Sequence, residues 1–335
     1  MTCYDVFNGD ADGICALHQL RLEEPTDAVL VTGVKRDIAL LERVPATAGD
    51  CVTVFDISAA ANHDALVALL DRGATVRYFD HHHAGNLPSR PTFAPLIDTS
   101  PQVCTGVLVD RYLRGRQRRW AIVAAFGDNL HATAAALGNT LGLGGEDLEP
   151  LRLLGEALNY NAYGDTEADL LVRPAALYQV LKAYPDPYAF LQAEDVFARL
   201  DAARREDLAH ARAVKPVFVT DYATALVLPD VAWSRRVRGV IGNDLANAKP
   251  AVAHAVLTTD RKGNLTGSVR APLLQPTGAD ALCRQFGGDG RPAAAGINDL
   301  APDRLDEFLR VFARTFEAPD RAPQTPPRET ARARD

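Results

Sequence analysis

Over the first 130 positions, short runs of alternating apolar and polar residues are separated by longer amphipathic segments. Cys3-Tyr4-Asp5-Val6-Phe7, Cys51-Val52-Thr53-Val54-Phe55 and Ala74-Thr75-Val76-Arg77-Tyr78-Phe79 have the alternation and the β-branched and aromatic content of strands. Strands are expected near 3–7, 27–34, 51–56, 74–80 and 92–98, with helices near 14–23, 60–72 and 105–113. That order predicts an α/β fold built on a parallel, doubly wound sheet. From about 120 to 213 the period becomes helical, with stripes such as Leu151, Leu154, Leu158 and Leu177, Val180, Leu181. The stretch 190–214 carries Val196, Leu200 and Leu208 among many charges and suits a connecting helix.

After Pro216 the pattern changes again. Segments 217–219 and 225–228 read as strands, and 252–259 and 265–270 flank Arg261-Lys262-Gly263-Asn264, a hairpin turn. Helices are expected at 235–247, 278–286 and 304–317. The expected organisation is therefore a larger domain with a helical extension over 1–189, a connecting helix over 190–214, and a smaller mixed α/β carboxyl-terminal domain over 215–317. Residues 318–335, rich in Pro, Arg and Thr, are expected to be a disordered tail.

Composition narrows the functional classes. A chain of 335 residues that is 47% hydrophobic has enough apolar material for two domains. No window approaches the ~18 continuous apolar residues of a membrane helix, and the amino terminus enters a strand without a signal-peptide pattern. The five cysteines, Cys3, Cys15, Cys51, Cys104 and Cys283, are scattered without metal-binding spacing. They read as buried thiols of a reducing compartment, so a cytoplasmic protein is expected. Net charge is −7 with pI ≈ 5.6. A protein that tracks long nucleic acid usually carries a broad basic surface, so this balance favours a small or short substrate. Three arginine-rich runs stand out: Arg114 to Arg119, Arg204-Arg205, and Arg235, Arg236 and Arg238. The first two read as solvated surface; the third is a candidate for holding phosphates. No membrane and no protein partner is indicated, and self-association is left open.

The candidate chemistry lies where strands end. Asn8-Gly9-Asp10-Ala11-Asp12-Gly13 follows the first strand, Asp56 closes the third, Asp80-His81-His82 closes the fourth, and Asp128 follows the apolar run ending at Phe126. Each alone reads equally as a turn or a helix cap. Together they place acids and imidazoles along one sheet edge, where open α/β sheets bind ligands. Two divalent cations about 3.5–4 Å apart need a shared carboxylate and separate acids on each side. Asp56 is placed for the shared role, with Asp10, Asp12, Asp80 and Asp128 flanking it and His81 adding an imidazole. Such an oxygen-dominated set favours manganese or magnesium, and two ions are expected.

The order Asp10-Ala11-Asp12-Gly13, Asp56, Asp80-His81-His82, Asp128 resembles the four motifs of the DHH phosphoesterases. That superfamily includes RecJ-like exonucleases, oligoribonuclease-like enzymes, cyclic-dinucleotide phosphodiesterases and manganese-dependent pyrophosphatases. Late in the chain, Phe286-Gly287-Gly288-Asp289-Gly290-Arg291-Pro292-Ala293-Ala294-Ala295-Gly296 resembles the glycine-rich signature of the DHH-associated carboxyl-terminal domain, and Gly267-Ser268-Val269-Arg270 its substrate-binding strand. The resemblance implies metal-dependent hydrolysis at phosphorus. His82 and Asp80 would serve the chemistry, and Arg270, Gly287, Gly288, Arg291 and His83 would hold substrate phosphates, with the glycine N–H groups approaching the oxygens. The chain departs from the family pattern at Val6, where several relatives have a metal-binding His, at Asn8, where RecJ-like members often have Asp, and at Arg291, where the glycine run usually ends in His.

The expected function is a phosphoesterase acting on short oligonucleotides or small nucleotides. One alternative is a RecJ-like single-strand 5′ exonuclease. Another is a nucleotide-binding regulator without catalysis, motivated by Val6, Asn8 and Arg291.

Overall fold

Alternation sends successive side chains of a strand to opposite faces, and in the computed structural model the early strands are apolar on both. The structure describes residues 1–260 and 262–317. Strands β1 (Cys3–Asn8), β2 (Ala28–Gly33), β3 (Cys51–Phe55), β4 (Thr75–Asp80) and β5 (Phe93–Ile97) form one parallel sheet in the order β2-β1-β3-β4-β5. Val6, Val52, Val54, Val76 and Tyr78 enter one core, which α2 (His63–Asp71) completes with Leu66, Leu69 and Leu70. Phe7, Phe55 and Phe79 enter the other core. There they meet α1 (Ala11–Glu23), α3 (Thr105–Tyr112), α4 (Arg118–Gly127) and, further out, α5 (His131–Asn139) and α6 (Gly145–Ala162). A parallel sheet covered on both faces is the doubly wound architecture expected from the sequence. Its strand order reverses between β1 and β3, which defines the switch point at which such sheets take ligands.

The helical extension continues through α7 (Pro174–Leu181), α8 (Pro187–Ala193) and α9 (Val196–Ala213). Val196 and Leu200, expected on a connecting helix, are buried in the core of this first unit, which spans Met1–Ala211 together with Val231–Val237. The second unit comprises Arg212–Asp230 and the residues from Arg238 onward. Its sheet has six strands in the order β10-β11-β9-β8-β7-β6. These are β6 (Phe218–Val219), β7 (Ala223–Leu228), β8 (Ala253–Thr259), β9 (Leu265–Arg270), β10 (Asp289–Arg291) and β11 (Ala294–Leu300). β8 and β9 are antiparallel, as the turn chemistry predicts, whereas β7 and β8 are parallel and joined through α10 (Ala232–Ala248). Phe286, Phe308 and Phe312, with α11 (Ala279–Arg284) and α12 (Leu305–Phe316), build the core of this unit. The tail expected over 318–335 lies outside the described residues. Among the described residues no helix is long and apolar enough to cross a membrane.

The cysteine reading is corrected. Parallel register sets Cys3 opposite Cys51, with Cα atoms 4.7 Å apart, and the two form a disulfide across β1 and β3. Strand pairing achieves this although 48 residues separate them. Cys15, Cys104 and Cys283 are buried thiols. Thiol titration of the denatured, unreduced protein is expected to count three reactive cysteines, the number left free here; a count of five would remove the disulfide.

The arginine run at 235–238 is also corrected. Arg235 pairs with Asp169 at 3.0 Å and Arg236 with Asp207 at 2.8 Å, both largely buried, and Arg238 donates to Thr258 Oγ1 at 2.6 Å. Guanidiniums so engaged serve the packing around α10 rather than a phosphate.

Candidate metal centre

Each acidic motif reaches the switch point for a local reason. Asp10 is the N-cap of α1, its Oδ1 accepting the Gly13 N–H at 3.0 Å. A Cβ at Gly13 would lie 2.2 Å from the Asn8 carbonyl oxygen, so the turn that carries both carboxylates requires glycine there. Asp12, fully buried in the first turn of α1, accepts the Thr105 and Gly106 N–H groups of α3 on its two oxygens, each at 2.7 Å. Asp56 follows β3 in a left-handed conformation, φ 58°, which Asp and Asn tolerate better than other side chains. Asp128 closes α4.

These groups surround His81. Its Nδ1 lies 3.0 Å from the Val103 carbonyl oxygen. A carbonyl only accepts, so Nδ1 carries the proton and the Nε2 lone pair is left for a ligand. Nε2 lies 3.4 Å from Asp56 Oδ1, 3.6 Å from Asp128 Oδ2 and 3.9 Å from Asp12 Oδ2. Thr105 Oγ1 donates to Asp56 Oδ1 at 3.3 Å. Burial, followed by repulsion from Asp10, Asp12 and Asp128, pushes the Asp56 carboxyl well above its ordinary range. Burial and Asp12 push Asp128 up to about 6. Acids crowded to this cost around an imidazole lone pair fit a divalent cation. Among the described residues, donor atoms of Asp12, His81 and Asp128, and of Asp56, His81 and His82, converge closely enough to hold one.

Asp80, expected both among the metal ligands and beside His82 in the chemistry, lies against His82. Its Oδ1 is 2.7 Å from His82 Nδ1, and its Oδ2 is buried without a hydrogen-bond partner. The carboxylate therefore holds His82, and this bond, with the Asp80 charge, raises the imidazole above its usual range. His83 is exposed. His131, which the sequence places near Asp128, contacts Asn129 Oδ1 at 2.9 Å.

The sequence reading missed a cation in the cluster. Lys35 follows β2, and its ammonium pairs with Asp10 Oδ2, donates to Asn159 Oδ1 at 3.2 Å and lies 3.7 Å from Asp128 Oδ1. Burial alone would lower its pKa, but Asp10, then Tyr163, Asp128 and Asp56, raise it well above the ordinary value. The same lysine holds Asp10 below the usual carboxylate range against the opposing effect of burial. Its signal in the sequence is its position: a cation two residues beyond the strand that neighbours β1, on the same edge as the acids.

In the second unit, Arg270 Nε donates to Asn243 Oδ1 at 2.7 Å, and Arg291 is exposed on β10. The glycine N–H groups are not available as expected. Those of Gly287 and Gly288 donate to the Arg284 and Cys283 carbonyls, at 3.3 and 2.9 Å, closing the end of α11. A Cβ on Gly288 would lie 2.0 Å from the Gly296 carbonyl oxygen, so close packing on β11 accounts for that glycine.

No family model matches the sequence, and no curated protein matches it. Solved structures do match. Exonuclease RecJ bound to manganese superposes with TM-score 0.63 at 20% identity, over 95% of this chain and 91% of that one. The fold is that of the DHH phosphoesterases. A DHH-domain protein, PF0399, matches with TM-score 0.60 at 13% identity, over 93% of this chain and 86% of that one. A pGpG-specific phosphodiesterase, PggH from Vibrio cholerae, matches with TM-score 0.56 at 16% identity, over 93% of this chain and 98% of that one. The DHH fold brings the four motifs to one sheet edge, and the departures at Val6 and Asn8 fall beside it. Val6 is a fully buried core residue. Asn8 accepts the Asp10 N–H and donates to the Lys35 carbonyl, both at 3.3 Å, so its side chain organises the turn.

Proposed function

We propose that the protein is a divalent-metal-dependent phosphoesterase acting on short oligonucleotides or small nucleotides. The observation that carries this reading is the His81 Nε2 lone pair aimed among Asp12, Asp56 and Asp128. Those four residues would hold manganese or magnesium. When bound, the cation supplies Lewis-acid stabilisation of phosphoryl oxygens and a water-derived nucleophile at neutral pH. The chain's own residues do the rest. Thr105 orients the Asp56 carboxylate, and Val103 fixes the His81 tautomer. His82, whose Nδ1 is bonded to Asp80 and whose ring is half exposed, is placed to give a proton to the leaving oxygen. His83, Arg270 and Arg291 are the proposed phosphate contacts; the planar guanidinium can hold two oxygens at once. The activities named for RecJ, an exonuclease, and PggH, a pGpG-specific phosphodiesterase, support a phosphoesterase, and the net charge of −7 supports a short substrate. Whether the expected second ion joins the first turns on Asp10, considered below.

The test is manganese-dependent product release from short RNA, short DNA, phosphoadenosine phosphate and cyclic dinucleotides, alongside long single strands. Preference for 5-mers or smaller esters is expected. Processive degradation of long strands would favour the exonuclease reading, and no release from any ester would favour a binding protein. Arg270→Lys is expected to lower kcat/KM on the preferred ester by about 10-fold or more, consistent with losing one charge-assisted hydrogen bond. Manganese affinity and melting temperature should stay unchanged. Parental kinetics on every ester would remove Arg270 from substrate binding.

A further inference from the structure

The two converging donor groups, Asp12–His81–Asp128 and Asp56–His81–His82, overlap at His81, and the question they raise is what balances Asp10. Both Asp10 oxygens have protein partners. Oδ1 accepts the Gly13 N–H, and Oδ2 pairs with the Lys35 ammonium. Neither of the converging donor groups includes Asp10. The lysine is held in place from several sides. Its N–H donates to the Ala162 carbonyl at 2.9 Å, and its carbonyl accepts from Asn8 Nδ2. Its Nζ donates to Asn159 Oδ1, and the Tyr163 ring centroid lies 5.8 Å from it. Asn159 and Tyr163, both at the end of α6, thereby meet the ammonium itself, while Asn8 at the end of β1 holds the lysine's backbone. Val6 is packed in the apolar core and the Asn8 oxygen accepts the Asp10 N–H, so a second ion at this end would depend on Asp10. A second dication on Asp10 would sit beside an ammonium bound to the same carboxylate, and like charges at that separation repel strongly in a partly dry site.

Resting on the cation site proposed above, we infer that the Lys35 ammonium stands in the place of a second divalent ion. The centre then takes one divalent cation, at Asp12, Asp56, His81 and Asp128. Lys35 supplies the fixed positive charge on the Asp10 side. Its side chain is 30% exposed, so the ammonium can meet one phosphoryl oxygen of a bound ester as a point charge.

The test counts manganese in the full-length protein. The parent and Lys35→Gln are dialysed against excess Mn2+. Bound metal is measured by plasma mass spectrometry, and electron paramagnetic resonance separates isolated from exchange-coupled ions. The expected result is one manganese per chain with an isolated-ion spectrum for the parent, and two per chain with a coupled spectrum for Lys35→Gln. Two ions in the parent would overturn the inference while leaving the metal-dependent phosphoesterase reading intact. So would a folded Lys35→Gln that still binds one, since something other than the ammonium would then exclude the second. No manganese in either protein would overturn the cation site itself and the inference with it. The parent count is decisive even if the variant fails to fold, which circular dichroism would reveal.

Discussion

Asp56→Asn is expected to abolish manganese binding and phosphoester hydrolysis while making the metal-free protein more stable. The loss follows from removing the anionic oxygen nearest His81 Nε2, 3.4 Å away. Changing groups that merely support a metal ligand costs about 10–100-fold in affinity or activity, so losing a ligand should cost at least about 100-fold. Asn8→Ala, which removes no charge, should cost far less manganese affinity. The gain in stability follows from the crowding of acids. Asp56 and Asp128 are both raised by burial and by neighbouring carboxylates, Asp128 to about 6 from 3.8. An acid with a raised folded pKa holds its proton longer in the native than in the unfolded state. Folding is therefore penalised as pH climbs above the ordinary carboxylate value, and the penalty is complete above the folded pKa. For Asp128 it is on the order of 3 kcal/mol at neutral pH. Asparagine at position 56 removes one charge of the cluster and keeps the backbone, because Asn also accepts a φ of 58°. Calorimetric melts without metal should show the variant above the parent, with a gap that widens from about pH 4 to pH 7. Manganese at a hundred times its Kd should then add about 2.7 kcal/mol to the parent and nothing to the variant. Equal metal-free melting temperatures at pH 7 would refute the crowding argument.

Asp12→Asn should lose activity to a similar degree but move stability the other way. Both Asp12 oxygens accept buried backbone N–H groups, from Thr105 and Gly106, at 2.7 Å. A carboxylate can accept both bonds; an amide must turn its NH2 toward one of them. One buried donor is then left opposite another donor, at a cost of about 1–3 kcal/mol. Denaturant unfolding of the metal-free proteins would measure this as a lower midpoint for Asp12→Asn and a higher one for Asp56→Asn. If the same chemical change at the two positions shifted both midpoints upward, the two N–H bonds to Asp12 would not be holding α3 to the acidic turn.

The first unit was legible because its strands obey a short-range rule. Residues such as Phe7 and Val54 alternate with period two, and a sheet apolar on both faces has few architectures open to it. The acids were legible for the same reason. Asp10, Asp12, Asp56 and Asp80 each end or follow a strand, and parallel strands deliver their carboxyl ends to one edge. In the second unit, β10 and β11 went unread because Asp-Gly-Arg and Ala-Ala-Gly carry no strand propensity of their own. Pairing with β9 makes β11 a strand, and β10 pairs with β11 in turn.

The chain by itself determined the layering, the strand edge on which the chemistry sits, and the residue types gathered there. Contacts between segments distant in the chain decided the rest. Register set Cys3 against Cys51. The Val103 carbonyl turned His81 toward the acids and left Asp80 to hold His82. The neighbouring strand β2 delivered Lys35 to Asp10, and α6 met it with Asn159, 124 residues further on. Periodicity reports which face of an element is buried, because that follows from local geometry. Which charge meets which depends on where other elements end, and that is set only when the sheet and its helices pack.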